Sequence, residues 1–188
     1  LAEKSILDRI KDALGLSEKP QSYVRFRDNL GNFELFYPGG WKYDEDIAVI
    51  DGKYTISFQS PDGLSQFTVS VDAQLAEDFK FAEYEKAELE SPESGIFATV
   101  KKTKFQEMEA YERGFNYSSG GRKFFGGGVM FYTGQSVFSV SWTSPELQKE
   151  KVMPLFLHML KTLSVRKGFV VRKKMRGGSV ILTKSKNT

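Results

Sequence analysis

His158 is the only histidine in the chain, and cysteine is absent. Disulfides, thiolate-held metals and thiol nucleophiles are therefore excluded, as is any centre built on several imidazoles. A lone histidine at the edge of an apolar helical stripe reads as a boundary residue of that helix. Asp44-Glu45-Asp46 is a local acidic cluster. A calcium loop needs further oxygen ligands and a glycine at set offsets, where Ala48 and Val49 stand, so the cluster reads as a solvated turn. Gly126-Gly127-Gly128 invites a phosphate-loop reading. Such a loop must open a helix, whereas Val129, Met130 and Phe131 continue a strand, so the glycines mark a bulge or a flat patch under a neighbour. No serine stands in a G-x-S-x-G elbow. These residue types supply no catalytic constellation, no metal site and no cofactor site, and the chain reads as a non-enzyme with no evident small-molecule substrate.

Two stretches remain that could bind. The end of the chain, from Val165 to Thr188, carries Arg166, Lys167, Arg172, Lys173, Lys174, Arg176, Lys184 and Lys186 with no acid, while the chain as a whole is only +3. Within it, Arg172, Lys173, Lys174 and Arg176 form a candidate anion-binding run for nucleic acid or acidic lipid. Stacking on bases needs several rings among the cations, and Phe169 is the one ring there. The second is the segment Phe81–Glu93, where Glu83, Glu85, Glu88, Glu90 and Glu93 crowd the end of a helix whose dipole disfavours them. Phe81, Tyr84, Glu85 and Glu88, with Trp41 from an earlier turn, are the candidate surface for a protein partner.

The elements that must position these residues alternate between two periods. With 188 residues, 40% hydrophobic and 27% charged, the chain has the balance of one globular domain. Residues 1–15 read as an amphipathic helix with Ile6, Ile10 and Ala13 on its stripe, and residues 16–30 as a linker with room for an edge strand at Tyr23–Phe26. From Phe33 the period is two, through Tyr37, then Ile47–Ile50 and Tyr54–Phe58 about an Asp51-Gly52 hairpin turn, then Phe67–Val71. Residues 75–90 return to a helical pattern. Three long strands follow at Phe97–Phe105, Glu107–Ser118 and Arg122–Tyr132, and a further one at Ser136–Thr143, whose polar face is nearly all serine. Ser144-Pro145-Glu146 reads as the start of a last helix, with Ser144 as N-cap and a kink or a fresh start expected at Pro154. Beyond it the tail, residues 165–188, reads equally as a small hairpin turning at Arg176-Gly177-Gly178 or as a flexible basic tail. No apolar run is long enough to cross a membrane as a helix, since Val152–Leu163 is interrupted by Pro154, His158 and Lys161.

The run Phe33-Glu34-Leu35-Phe36-Tyr37-Pro38-Gly39-Gly40-Trp41 resembles the opening strand and turn of the family of the photosystem II extrinsic protein PsbP and the Mog-type Ran-binding proteins. The strand pair Val129–Tyr132 and Ser136–Trp142, and the helix end Phe156–Ser164, are similar in pattern. The resemblance covers roughly Phe26 to Val165. It implies an α+β fold, an α/β/α sandwich around a six- or seven-stranded antiparallel sheet over residues 31–164. It also implies a non-catalytic accessory role through binding a larger protein. No functional residue is carried over from it.

Overall fold

Rings and branched side chains at every second position set the strands, because alternation puts them all on one side of a pleated layer. The computed structural model describes residues 22–50, 53–73, 79–83, 86, 97–166, 172–176 and 179–183. The strands are β1 (Tyr23–Arg27), β2 (Phe33–Pro38), β3 (Lys42–Ile50), β4 (Lys53–Gln59), β5 (Gln66–Asp72), β6 (Phe97–Phe105), β7 (Met108–Ser119), β8 (Arg122–Tyr132) and β9 (Val137–Pro145). A 3-10 turn at Glu146–Gln148 leads into helix α1 (Lys149–Thr162). The last strands are β10 (Ser164–Val165), β11 (Arg172–Arg176) and β12 (Ser179–Thr183).

Strands β3 to β9 form one seven-stranded sheet in the order β3-β4-β5-β9-β8-β7-β6, antiparallel at every pairing. A smaller sheet, β1-β2-β10, lies with α1 over one face of the large sheet and shares its core. Register builds that core in rows. Phe58, Phe67 and Trp142 stand side by side across β4, β5 and β9, and Tyr54, Val71, Phe138 and Phe131 form another row. Val152, Phe156, Met159 and Leu160 of α1 are buried against them. The opposite face is polar and small in β4, β5 and β9, with Thr55, Ser57, Thr68, Ser70, Ser139 and Ser141. There Arg113, buried on β7, donates from its guanidinium to Ser139 Oγ at 2.6 Å. At one end of that face Phe81, in helical residues 81–83, packs with Tyr111, Met130 and Val137. The layers are therefore helix, sheet, helix, with seven strands in the large sheet.

The triple glycine lies inside β8, as its strand context requires. A Cβ at Gly127 would meet Trp142 Cζ2 at 2.9 Å, and one at Gly128 would meet the Val140 carbonyl at 2.5 Å. Ring and backbone lie flat on the strand, so these glycines are packing surface.

Other expectations need correction. The domain starts before residue 31, because β1 pairs along β2 and Phe26 is buried in the core, so the segment 16–30 is not all linker. At the far end, β10 pairs with β2, and the Arg166 N–H donates to the Asn32 carbonyl at 2.8 Å. Ser144 is not a helix cap: β9 runs on to Pro145, and Ser144 is buried with its Oγ 2.8 Å from that of Ser65. Helix α1 makes no fresh start at Pro154, which lies inside it and whose missing N–H costs one bond near the helix start. The tail forms the β11–β12 hairpin, and the leading residues 1–15 lie outside the described residues.

The β6–β7 turn carries strain. Gln106 and Glu107 both sit at positive φ, 48° and 68°, without being glycine. Gln106 has an anchor there, since its amide donates to the Leu163 carbonyl at the end of α1, at 2.7 Å. Glu107 is exposed and has no such bond among the described residues. Glu107→Gly is expected to raise the unfolding free energy by about 1 kcal/mol, read from a urea titration.

The β4–β5 turn is tied to the α1 entrance. Asp62 accepts from Ser60 Oγ at 2.5 Å, from Gln148 Nε2 at 2.9 Å and from the Leu64 N–H at 3.1 Å, which together hold its carboxyl down to about 2. The folded value lies below the ordinary 3.8, so its stabilising effect is full above that pH and is lost as pH falls toward 2. Asp62→Asn is expected to flatten the acid limb of the stability curve between pH 4 and 2, followed by thermal unfolding at stepped pH.

Candidate interaction groove

Among the described residues β1 is an outer strand of the small sheet and β3 an outer strand of the large one, and the two meet where the Phe26 ring packs on Tyr43 and Phe58. In β1 the alternation Tyr-Val-Arg-Phe-Arg turns Val24 and Phe26 inward. Phe26 pairs with Leu35 and is buried, while Val24, one step nearer the strand start, pairs with Tyr37 and stays 45% exposed. The chain leaves β2 through Pro38 and Gly39 and turns at Gly40, whose φ of 88° suits glycine. Trp41 then plunges under α1, edge-on to Phe156 at 6.0 Å between ring centroids. With Trp41 anchored, β3 emerges with Tyr43 beside Phe58 on β4. The Tyr43 ring meets Phe26 edge-on at 4.9 Å and Tyr37 at 6.0 Å, yet remains 49% exposed.

Between these strands lies an open groove of about 670 Å³, lined by Val24, Arg25, Arg27, Tyr37, Tyr43 and Asp44 among others. Asn29 Nδ2 donates to Glu45 Oε2 across it at 2.6 Å, tying the walls together at one point. Its charges are segregated, with arginines on the β1 wall and carboxylates on the β3 wall. Arg25 is committed to Glu34 at 2.7 Å. Arg27 and Asp44 have no ion-pair partner among the described residues. Burial, and then the neighbouring Tyr43, push the Tyr37 hydroxyl above its ordinary value, so it stays protonated as a donor at neutral pH. The groove thus offers rings together with one cation and one anion that lack an ion-pair partner among the described residues, which are groups for recognition.

Beneath one end of this region sits a buried polar network. Asp28, 4% exposed, closes the β1–β2 connection by accepting the Phe33 N–H at 3.2 Å. Its other oxygen accepts from the Tyr54 hydroxyl at 2.6 Å, and Asn32 Nδ2 donates to that hydroxyl at 2.7 Å. The network bolts the small sheet to β4.

The surface expected from sequence is placed differently. Trp41 and Phe81 are buried, 8% and 5% exposed, because each ring fills a core cluster, so neither presents itself to a partner. Tyr84, Glu85 and Glu88 lie outside the described residues. Asp44-Glu45-Asp46 is not a turn but part of β3. Among the described residues no group of three or more acidic or histidine side chains is placed to hold a metal ion. His158 stacks on Tyr23, ring centroids 3.6 Å apart. Arg172, Lys174 and Arg176 occupy alternate positions of β11, with Lys173 between. Val24, Arg27 and Tyr43 were missed, although the alternation of β1 is visible in the sequence.

No protein-family model matches the sequence, and no curated protein matches it. Solved structures do match. The solution structure of cyanobacterial PsbP (CyanoP) from Synechocystis sp. PCC 6803 aligns with a TM-score of 0.57 at 14% identity, over 82% of this chain and 99% of that one. LpqN of Mycobacterium tuberculosis, described as involved in cell envelope biogenesis, aligns with a TM-score of 0.52 at 12% identity, over 86% of this chain and 97% of that one. A Bacteroides thetaiotaomicron protein aligns with a TM-score of 0.53 at 20% identity, over 82% of this chain and 52% of that one. The fold is PsbP-like.

Proposed function

We propose that this chain is a non-enzymatic accessory domain that holds a protein partner, with the β1–β3 groove as its contact surface. The observation that carries the reading is the coincidence, in one groove, of two of the large exposed apolar side chains, Val24 and Tyr43, with the uncommitted charges of Arg27 and Asp44. Apolar contact ringed by charge is the composition of a recognition surface. The PsbP-like fold is in keeping with an accessory role, since CyanoP and LpqN carry it and the latter is described as involved in building a cell envelope.

A photo-crosslinking amino acid at position 43, introduced into the chain in its native cells, is expected to trap one protein. The same group at Lys123, exposed near the β7–β8 turn, should not trap it. No adduct specific to position 43 would remove the reading.

A second reading assigns the basic run of β11 to an anionic surface, nucleic acid or acidic lipid. It is favoured by three cations at alternate strand positions of a hairpin. It requires binding to DNA or to phosphatidylserine vesicles that weakens steeply with salt and is lost when residues 166–188 are deleted.

A further inference from the structure

We infer that the outer face of the small sheet carries a binding site for a terminal phosphate group, held between the guanidinium groups of Arg27 and Arg166 over the Gly31 turn. The site draws on neither Tyr43 nor the basic run of β11, so it stands or falls apart from both readings above.

Strand pairing brings the two arginines together from far apart in the chain. β2 is the middle strand of the small sheet, with β1 on one side and β10 on the other. Glu34 of β2 is opposite Arg27 across one pairing and Ser164 across the other, so these three share a face. That face points away from the core, because the alternate positions Phe26, Phe33 and Leu35 are buried. Arg166 follows two positions after Ser164, its N–H bonded to the Asn32 carbonyl, and extends the same ladder.

The turn between β1 and β2 holds Gly31 at a φ of 73°, which glycine adopts without strain. At the point where a β-carbon of Gly31 would stand, Arg166 Nη1 is 3.9 Å away and Arg27 Nη2 4.0 Å. Apart from the chain neighbours of Gly31, no other atom of the described residues comes within 4 Å of that point. Two positive charges therefore lie within about 8 Å of each other, and they repel until an anion enters between them. The acids nearby are engaged elsewhere. Glu34 pairs with Arg25 at 2.7 Å, and the buried Asp28 accepts from the Phe33 N–H and the Tyr54 hydroxyl. Among the described residues neither Arg27 nor Arg166 has an ion-pair partner, and both are exposed.

This spacing selects the ligand. Phosphate oxygens are about 2.5 Å apart and a charge-assisted N–H···O contact is about 2.8 Å, so one phosphate bridges two nitrogens up to about 8 Å apart. A terminal phosphate brings close to two negative charges and three free oxygens, enough for both guanidiniums. A phosphodiester brings one charge and two free oxygens.

The test is a titration of inorganic phosphate into the 15N-labelled full chain, followed at the Gly31 amide by two-dimensional NMR. That signal is expected to move and to saturate with a dissociation constant on the order of a millimolar. Arg27→Gln and Arg166→Gln should each weaken binding about tenfold, while Arg122→Gln, exposed at the β7–β8 turn, should leave it unchanged. The triple variant Arg172→Gln, Lys174→Gln, Arg176→Gln should bind as the unaltered chain does. Gly31→Asp sets a carboxylate between the guanidiniums and should abolish binding, read at the Asn32 amide. Gly31→Asn, with the same shape and backbone demand but no charge, should keep affinity within about threefold. A second arm identifies the source of the phosphate. Capture by phosphatidylcholine vesicles containing phosphatidic acid, lost in both arginine variants, assigns it to a lipid headgroup. Phosphate binding without such capture assigns it to a soluble phosphate ester.

No movement at Gly31, or equal binding by the arginine variants, would overturn the site. So would equal loss in Gly31→Asp and Gly31→Asn, loss in the β11 triple variant, or dimethyl phosphate binding as tightly as phosphate.

Discussion

Phe156→Ala is expected to lower the unfolding free energy by about 3–5 kcal/mol, the usual cost of removing a fully buried ring. Phe156 has no exposed surface and lies between α1 and the large sheet. Its ring is 6.0 Å from Trp41, 6.3 Å from Phe67 and 6.4 Å from Trp142, centroid to centroid. These neighbours come from the β2–β3 turn, β5 and β9, so the space left by the ring cannot be filled by moving one loop. A domain of this size is stable by about 5–15 kcal/mol, which makes the loss a large share of the whole. Both tryptophans of the chain touch this ring, so their fluorescence during a urea titration reports the change directly. Leu147→Ala is the control. Leu147 is fully exposed in the 3-10 turn, and its removal should shift stability by no more than about 0.5 kcal/mol.

Tyr54→Phe is expected to cost about 2–4 kcal/mol at pH 7 and distinctly less near pH 4. The hydroxyl donates to Asp28 and accepts from Asn32, and both partners are buried. Removing it leaves a buried carboxylate short of a donor and a buried amide short of an acceptor, and penalties of this kind run to about 1–3 kcal/mol each. Burial raises the Asp28 carboxyl above its ordinary 3.8, while the Tyr54 hydrogen bond is the largest effect pulling it back. Without that bond the Asp28 value climbs further. A carboxyl raised in the folded state favours folding below its unfolded value and loses that advantage as pH rises through the folded one. The variant's deficit therefore grows with pH across that window, and stability curves of both proteins at stepped pH show it. A deficit independent of pH would mean that Asp28 is neutral throughout.

How far the sequence carried depends on whether a feature is local. Strands β4, β5, β8 and β9 follow from period-two runs such as Tyr54-Ile56-Phe58, and the antiparallel pairing that sets Ile50 opposite Lys53 is the one a hairpin at the intervening dipeptide calls for, the dipeptide itself lying outside the described residues. The stripe Val152-Phe156-Met159-Leu160 gives α1 in the same way. The run from Phe33 to Trp41 pointed to the PsbP-like sandwich that the structure has. What was not legible depends on how sheets stack. Trp41 follows two glycines in a turn and looks exposed on local grounds, but it is buried because a helix more than a hundred positions later lies over it. Ser144 has the neighbours of a helix cap, and the longer pairing of β9 with β8 overrides them. The groove draws on residues 24–27 and 43–45, two short runs whose approach is set by the Asp28–Tyr54 network and the Phe26–Tyr43 contact. No spacing in the chain encodes that approach.

The pairing of β2 with β10 also orders events in time. The Phe36 N–H reaches Thr162 Oγ1, 126 positions away, and the adjoining β10 completes the sheet around β2. A ribosome adding about 5–20 residues per second needs on the order of ten seconds to make that intervening stretch. During that interval Phe33, Leu35 and Tyr37 have been synthesised without the helix that covers them. The nascent chain is thus a natural client for chaperones, and its exposure ends only when α1 clears the exit tunnel.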